Sequence, residues 1–462
     1  MNESPTEIHM KITESQARNI GCRAVAIGFG IIYYLTFLTC YYYLISPNFS
    51  YAGMTFFMLP YWAWVVSILL SLLPLLWMPV HFTRPSDFAS WFLYLFLIFP
   101  SNIIIPMVSN LSPSGSVKLL IALNGSFILF EFVRRTRWLF AIHHIKSVEI
   151  LFRVFLPIIT ITLSLVFFAY AKFKFNFSFA DIYVRRLEAR NILSSGSLAG
   201  YLESFLKSIC IMIGIIYGLQ KRKWVHITIS IFAAFAIFSL SGEKWGLFSP
   251  LFFILIYFMS SRNRRNLGLI MLVLIILLVG LSLVEGIVAK SKILAFYFVR
   301  RMLVIPSQLT TYYWDFFSQN PFVMMKDSII GWLIPVDANY LIPKARLIGL
   351  EYFGNIEMNA NANIWATAYA DFGYYGMVIT SILAALTLKV IDSLGARGKF
   401  VVASVCSASI GLIWAEGGFY TSFLSNGVFL IIIVLWLYPL QHSHWSEIPK
   451  FMKIHAIRKF ME

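Results

Sequence analysis

The run from Leu267 to Val288, LGLIMLVLIILLVGLSLVEGIV, decides the class of fold. Its one ionisable side chain, Glu285, comes near the end, and as a helix the run is long enough to cross roughly 30 Å of hydrocarbon. A β-barrel also satisfies backbone polar groups in lipid, but it would alternate apolar and polar residues over segments of about ten positions. Working outward, comparable runs lie near Arg23–Ser46, Phe56–Pro79, Phe88–Val108, Val117–Val133, Ile150–Ala171, Phe205–Leu219, Trp224–Leu240 and Trp245–Ser260. Beyond Val288 they return at Ile364–Leu388, Val401–Ala415 and Phe423–Leu437, and the runs starting at Phe205, Trp245 and Val401 are short. Such a chain is an all-α polytopic membrane protein with about a dozen spans.

Composition agrees, since 59% of the 462 residues are hydrophobic and 13% charged. A soluble domain has about a quarter of its residues charged. The formal charge of +16 is accounted for first by loop Lys and Arg that set membrane orientation, not by nucleic acid. With the N-terminus inside, Arg84, Arg134, Arg135, Arg137, Lys146, Lys221, Arg222, Lys223, Arg262, Arg264, Arg265, Arg397 and Lys399 all fall on the cytoplasmic face. The basic tail from residue 441 to 462 joins them, and the short outward loops PNFSYAGM and NLSPSGS carry almost no positive charge. The expected organisation is a cytoplasmic segment over 1–22, one membrane domain over 23–440, and the cytoplasmic tail. The N-terminus has no signal-peptide pattern, so the first span is expected to stay attached. Cys22, Cys40, Cys210 and Cys406 lie in or beside apolar runs without a CxxC pair and read as packing residues.

Two outward loops, about 172–203 and 289–363, are long and rich in aromatics, which favours a functional reading over disorder. In the first, FADIYVRRLEARNIL forms a candidate surface helix with Arg186 and Arg190 on one face at i, i+4 spacing. Arginine's planar donor fork suits phosphate, and lipid headgroup contact is the alternative. In the second loop Arg300 and Arg301 stand among aromatics, placed to hold a lipid-linked diphosphate or to snorkel to the interface. Tyr312, Tyr313 and Trp314 offer flat faces for sugar rings or belong to an interfacial aromatic belt. Asn361 and Asn363, further candidates to bind the glycan, precede the Ile364 run, and Asp371 lies in its first turns, where a carboxylate serves as a general base or as half of a salt bridge. Glu243 and Lys244, in the turn SLSGEKWG, either pair with each other or lend Lys244 to the phosphate site. No histidine falls in an outward loop, and neither an acidic DxD pair nor a Walker motif is present, so no nucleotide or metal cofactor is indicated.

The two arginine-bearing loops, SGEKWGLFSPLFFIL, RRMLVIPSQLTTYYWDFF and NANIWATAYADFGYYG together resemble the O-antigen polymerases, the oligosaccharide repeat-unit polymerases of bacterial inner membranes. The resemblance covers most of the chain's layout. It implies a fold like that of the GT-C-like polyprenol-dependent glycosyltransferases and a periplasmic reaction without cofactor. A growing glycan would pass from undecaprenyl diphosphate to the non-reducing end of another lipid-linked repeat unit. The implied partners are that lipid-linked oligosaccharide, membrane lipid and a chain-length regulator protein. On this analogy Arg300 and Arg301 bind diphosphate first, Arg186 and Arg190 next, and Lys244 stands where many members carry arginine. O-antigen ligases share the architecture but use a loop histidine that this chain lacks. A polysaccharide flippase or other secondary transporter is the rival class, although no internal repeat is visible.

Overall fold

The computed structural model describes residues 5–440 apart from 109–110, 143–147, 171–197, 263, 329–330, 336–337 and 397, with side chains from residue 21 onward. Every regular element among the described residues is helical. Ten helices have the length and apolarity to cross a membrane, and two shorter apolar helices, Tyr61–Leu76 and Phe400–Glu416, fill the remaining expected positions.

In chain order these are α1 (span Gly21–Ala52), α2 (Tyr61–Leu76), α3 (Asp87–Met107), α4 (Pro113–Arg135), α5 (Leu151–Tyr170), α6 (Leu198–Lys221), α7 (Trp224–Ser241), α8 (Lys244–Ser261) and α9 (Leu267–Ile287). A helix that the apolar runs did not signal follows. Ala295–Val304 continues directly into Ile305–Gln319 and is labelled α10. After it come α11 (Lys344–Phe353), α12 (Ile364–Gly395), α13 (Phe400–Glu416) and α14 (Phe419–Leu437). The helix of α6 exceeds the short run read from the sequence, because Leu198–Phe205 extends it outward.

At the centre lies α3, whose apolar window is wholly enclosed. It packs on α2, α10 and α13. Pro100 cannot donate a helical hydrogen bond, and the wide turn Tyr94–Ile98 just before it lets the helix pass this residue. The Tyr33 hydroxyl of α1 donates to the Leu95 carbonyl in that turn at 3.0 Å. Side-chain amides join neighbouring helices where hydrophobicity gives no preference over lipid: Asn124 Nδ2 of α4 donates to Asn102 Oδ1 of α3 at 2.7 Å. Ser67 Oγ of α2 donates to the Asn102 carbonyl, also at 2.7 Å.

The contacts between helix ends fit the up-and-down order. Arg84, before α3, donates to the Arg134 carbonyl at the end of α4. Ser86 bonds Asp392 late in α12, and Lys399, before α13, caps the last carbonyls of α14. These make up the basic end of the bundle. At the opposite end Lys292 meets Asn48, Lys207 meets Glu243, and Arg301 meets Glu416.

The segment 289–363, expected as an outward loop, is therefore in large part structured bundle. Helix α10 packs against α3 and α12. Its aromatics made it too polar on average to read as a span, yet Pro306 to Trp314 are all buried.

Candidate functional site

The end opposite the basic face carries two groups of charges. The first is built around a break in α12. Phe372 and Gly373 leave helical geometry, with Gly373 at φ +60°, ψ −144°. Two carbonyls before the break are taken by another segment: Val323 N donates to Ala370 O at 2.8 Å and Met324 N to Asp371 O at 3.2 Å. The Asp371 carboxylate accepts from Met325 N at 3.1 Å and from Lys344 Nζ at 2.7 Å. Lys344 also reaches Asp327 at 2.9 Å. Burial works to depress the Lys344 ammonium, but Asp371 and then Asp327 more than offset it and hold it above the usual lysine range.

Asp371, expected as a general base, is thus 2% exposed and committed to a buried ion pair. Its carboxylate ties the 321–328 segment and α11 to the broken helix and does not stand open to a substrate hydroxyl. The expected glycan platform is corrected for a related reason. Tyr312, Tyr313 and Trp314 are 3%, 0% and 9% exposed, because α10 is enclosed by neighbouring helices and by α11. Tyr312 stacks on Tyr352 with centroids 4.2 Å apart, and Tyr313 donates to the Ala360 carbonyl. Asn363 is the buried N-cap of α12, accepting from Trp365 N and Ala366 N. Of that group only Asn361 is exposed.

The second group gathers the outer ends of α6, α8, α10 and α13. Arg300 and Arg301 lie in the wide-turn half of α10, Ala295–Val304. The Arg300 guanidinium stacks 4.0 Å from the Phe49 ring centroid, and Arg301 approaches Glu416 at 3.5 Å. Lys244 Nζ sits over the Tyr297 ring, 2.9 Å from its centroid, one helical turn from Arg301. Sequence spacing suggested a Glu243–Lys244 pair, but Glu243 bonds Lys207 at 2.6 Å. Consecutive residues at a helix start point apart, whereas Lys207 on α6 faces the turn. Glu203, one turn before Lys207, feels both Lys207 and Glu243. Lys244, proposed from a different stretch of sequence, is therefore brought onto α10 within a turn of Arg301, while Arg300 turns towards Phe49. Arg186 and Arg190, with Tyr183, Asp181 and Glu188, lie outside the described residues.

Glu416 was missed from sequence. It ends α13, a helix of 17 residues spanning about 25 Å, less than the hydrocarbon thickness. The carboxylate is therefore recessed beside the cations, and its Oε1 has no hydrogen-bond partner among the described residues. Its signal was available: an acid directly before Gly417–Gly418 at the end of a short apolar run. Lys207, inside the expected Phe205 span, was equally legible as an intramembrane charge.

Fold and site together define a polytopic helical membrane protein with a cationic cluster and a recessed carboxylate at one face. No family model matches the chain, nor does any curated protein or solved structure.

Proposed function

We propose that the protein is an O-antigen or related polysaccharide polymerase of the bacterial inner membrane, acting on undecaprenyl-diphosphate-linked oligosaccharides at the periplasmic face. The observation that carries this reading is that Lys244 packs on Tyr297, one helical turn from the Arg301 that meets Glu416, with Arg300 next to Arg301 on the same helix at a single membrane face. Cations fixed at the interface suit a leaving diphosphate, whose charge grows as the glycosidic bond breaks. In the proposed step an acceptor sugar hydroxyl oxygen bonds the donor's anomeric carbon. The bond from that carbon to the diphosphate oxygen breaks, and its electron pair leaves with the lipid diphosphate. The hydroxyl proton passes to a carboxylate, a role for which Glu416 is better placed than the ion-paired Asp371.

The termini then lie in the cytoplasm, since the basic end of the bundle faces inward under the positive-inside rule. On the same reading the fold is of the GT-C-like kind, and the lipid-linked oligosaccharide, with a chain-length regulator beside it, is the partner.

The break in α12 and the buried charges at the basic end favour a transporter or flippase as the second reading, since transporters use discontinuous helices. Transporter breaks sit near the midplane, however, while this one falls early in a helix of 32 residues, close to the outer face.

Deleting the gene in its native bacterium and resolving surface glycolipids by size tests the proposal. Glycolipids with a single repeat unit and no ladder are expected. An unchanged ladder refutes the polymerase reading, and complete loss of repeat units points to a flippase or ligase.

A further inference from the structure

At the basic end a closed network of ionised side chains surrounds Arg134, which is fully buried. Its Nε and Nη2 donate to the two oxygens of Glu131 at 3.0 and 2.9 Å, and its Nη1 to Asp87 and Ser86 at 2.9 and 2.7 Å. Asp392 accepts from Ser86 N and Oγ. Asp87 also accepts from Thr83 N and Arg84 N, and Ser90 Oγ donates to Glu131 at 2.5 Å. Arg84 and Lys389 donate to backbone carbonyls at the end of α4.

All three carboxylates, Glu131, Asp87 and Asp392, are therefore engaged inside the network, and the four cations Arg84, Arg134, Arg135 and Lys389 outnumber them. The surplus emerges at Arg135. Its Nε bonds Glu131 Oε2 at 2.9 Å and its Nη1 bonds the Trp77 carbonyl, while the buried Nη2 has no acceptor among the described residues. Arg137 adds an exposed cation two residues on, and Trp138 beside it is half exposed.

Arg135 lines a cavity of about 410 Å³ with Trp77, Ile128, Glu131, Phe132 and Thr136. The cavity lies between α2 and α4, which flank α3. A second, apolar cavity of about 90 Å³ lies between the same helices near Trp62, Val66, Pro113 and Val117 at the other end. Between them the walls expose Leu69, Leu73, Ile121, Ile128 and Phe132. The α2–α4 seam is thus apolar along its height, with Arg135 and Arg137 at its basic end.

We propose that this seam holds one anionic diacyl phospholipid from the leaflet at the basic end. Its phosphate would face Arg137 and the accessible part of Arg135, and its acyl chains would lie along Ile128 and Phe132. An arginine presents paired donors to a phosphate, and exposed Arg137 and the accessible third of the Arg135 side chain stand together at this end of the seam. The site is separate from the diphosphate cluster, at the opposite end of the bundle, and does not depend on the polymerase reading.

The test uses the full-length protein in detergent, titrated with dioleoyl phosphatidylglycerol or dioleoyl phosphatidylcholine and examined by native mass spectrometry. The wild type should retain one phosphatidylglycerol at least about tenfold more strongly than phosphatidylcholine, as one lost charge-assisted contact to phosphate implies. Arg135→Gln removes the headgroup contact and should abolish that preference. Because Arg135 also holds Glu131, Ile128→Trp is the second variant: it fills the cavity without touching the ion network, and should likewise release the lipid. Absence of a preference in the wild type overturns the proposal, as does its survival in folded Ile128→Trp. Displacement of phosphatidylglycerol by equimolar undecaprenyl phosphate overturns the assignment to a diacyl lipid.

Discussion

Replacing Gly373 by alanine should destabilise the protein by roughly 2–6 kcal/mol through two separable effects. At φ +60°, ψ −144° the residue occupies backbone space that is nearly exclusive to glycine, and a side chain there costs about 1–3 kcal/mol. A Cβ would also stand 2.8 Å from Phe322 Cζ, an overlap costing a further ~1–3 kcal/mol unless the half-buried ring swings aside. The break cannot relax into continuous helix without loss, because Val323 N and Met324 N use the carbonyls of Ala370 and Asp371. Equilibrium unfolding in mixed detergent micelles measures the total, and a cycle with Phe322→Ala divides it. In the Phe322→Ala background the overlap is gone, so Gly373→Ala should cost only the backbone strain, about 1–3 kcal/mol. Hydrogen exchange at 321–328 should rise in parallel as the segment loses its anchors. A Gly373→Ala protein within about 0.5 kcal/mol of wild type would refute the reasoning, since that is the range of unremarkable surface changes.

Lys344→Met leaves Asp371 buried without its cation and should cost about 3–5 kcal/mol in the same assay. Because Asp371 and Asp327 hold the Lys344 ammonium above its usual range, its contribution is complete below the unfolded value and disappears as pH rises through the folded one. Wild type should therefore show an alkaline loss of stability, only above about pH 10.4, that Lys344→Met lacks. Arg134→Met should cost about 3–5 kcal/mol, and Arg134→Lys should rescue little, since an ammonium cannot span Glu131, Asp87 and Ser86 together. In a deletion strain, Glu416→Gln should insert normally yet lower polymer formation by about 10²-fold or more, read from the glycolipid ladder. A full ladder from Glu416→Gln alongside a lost one from Arg301→Ala would remove Glu416 from the chemistry while keeping the cationic site.

The fold was legible because lipid imposes a simple rule: a backbone in hydrocarbon must close its own hydrogen bonds, so length and apolarity alone mark α1 to α9 and α12 to α14. Helix α10 escaped that rule. AFYFVRRMLV and IPSQLTTYYWDFF carry too many polar atoms for a lipid-facing span, and they are accommodated because neighbouring protein surrounds them. Single-sequence periodicity does not reveal such enclosure. The same blindness misplaced the aromatic residues, since Tyr313 in a core and Tyr313 on a sugar platform read identically in sequence. Arg300, Arg301 and Lys244 were legible as charges at one face, but their convergence depends on α8 and α10 being neighbours. Glu416 and Lys207 needed only the question of why an ionisable residue sits at the edge of a short span. Lys344, in a polar stretch, carried no comparable signal.

Both ends of the bundle concentrate charge, and the carboxylates within them differ in how completely they are bonded. At the basic end Glu131, Asp87 and Asp392 each accept two or more hydrogen bonds from the chain, which fixes α3, α4 and α12 relative to one another. The Asp371–Lys344–Asp327 group is satisfied in the same manner and locks the broken helix. Buried carboxylates so engaged resist ligand exchange, because any newcomer must first break short bonds within the protein. Glu416 differs: it holds Arg301 only loosely, at 3.5 Å, and one of its oxygens has no donor among the described residues. A carboxylate kept unsatisfied beside a cation is unfavourable for folding and useful for accepting a proton from an incoming hydroxyl. Under the proposed polymerase reading the reacting end would be where Arg301 and Glu416 meet, with the larger, more completely bonded clusters holding the bundle together around them.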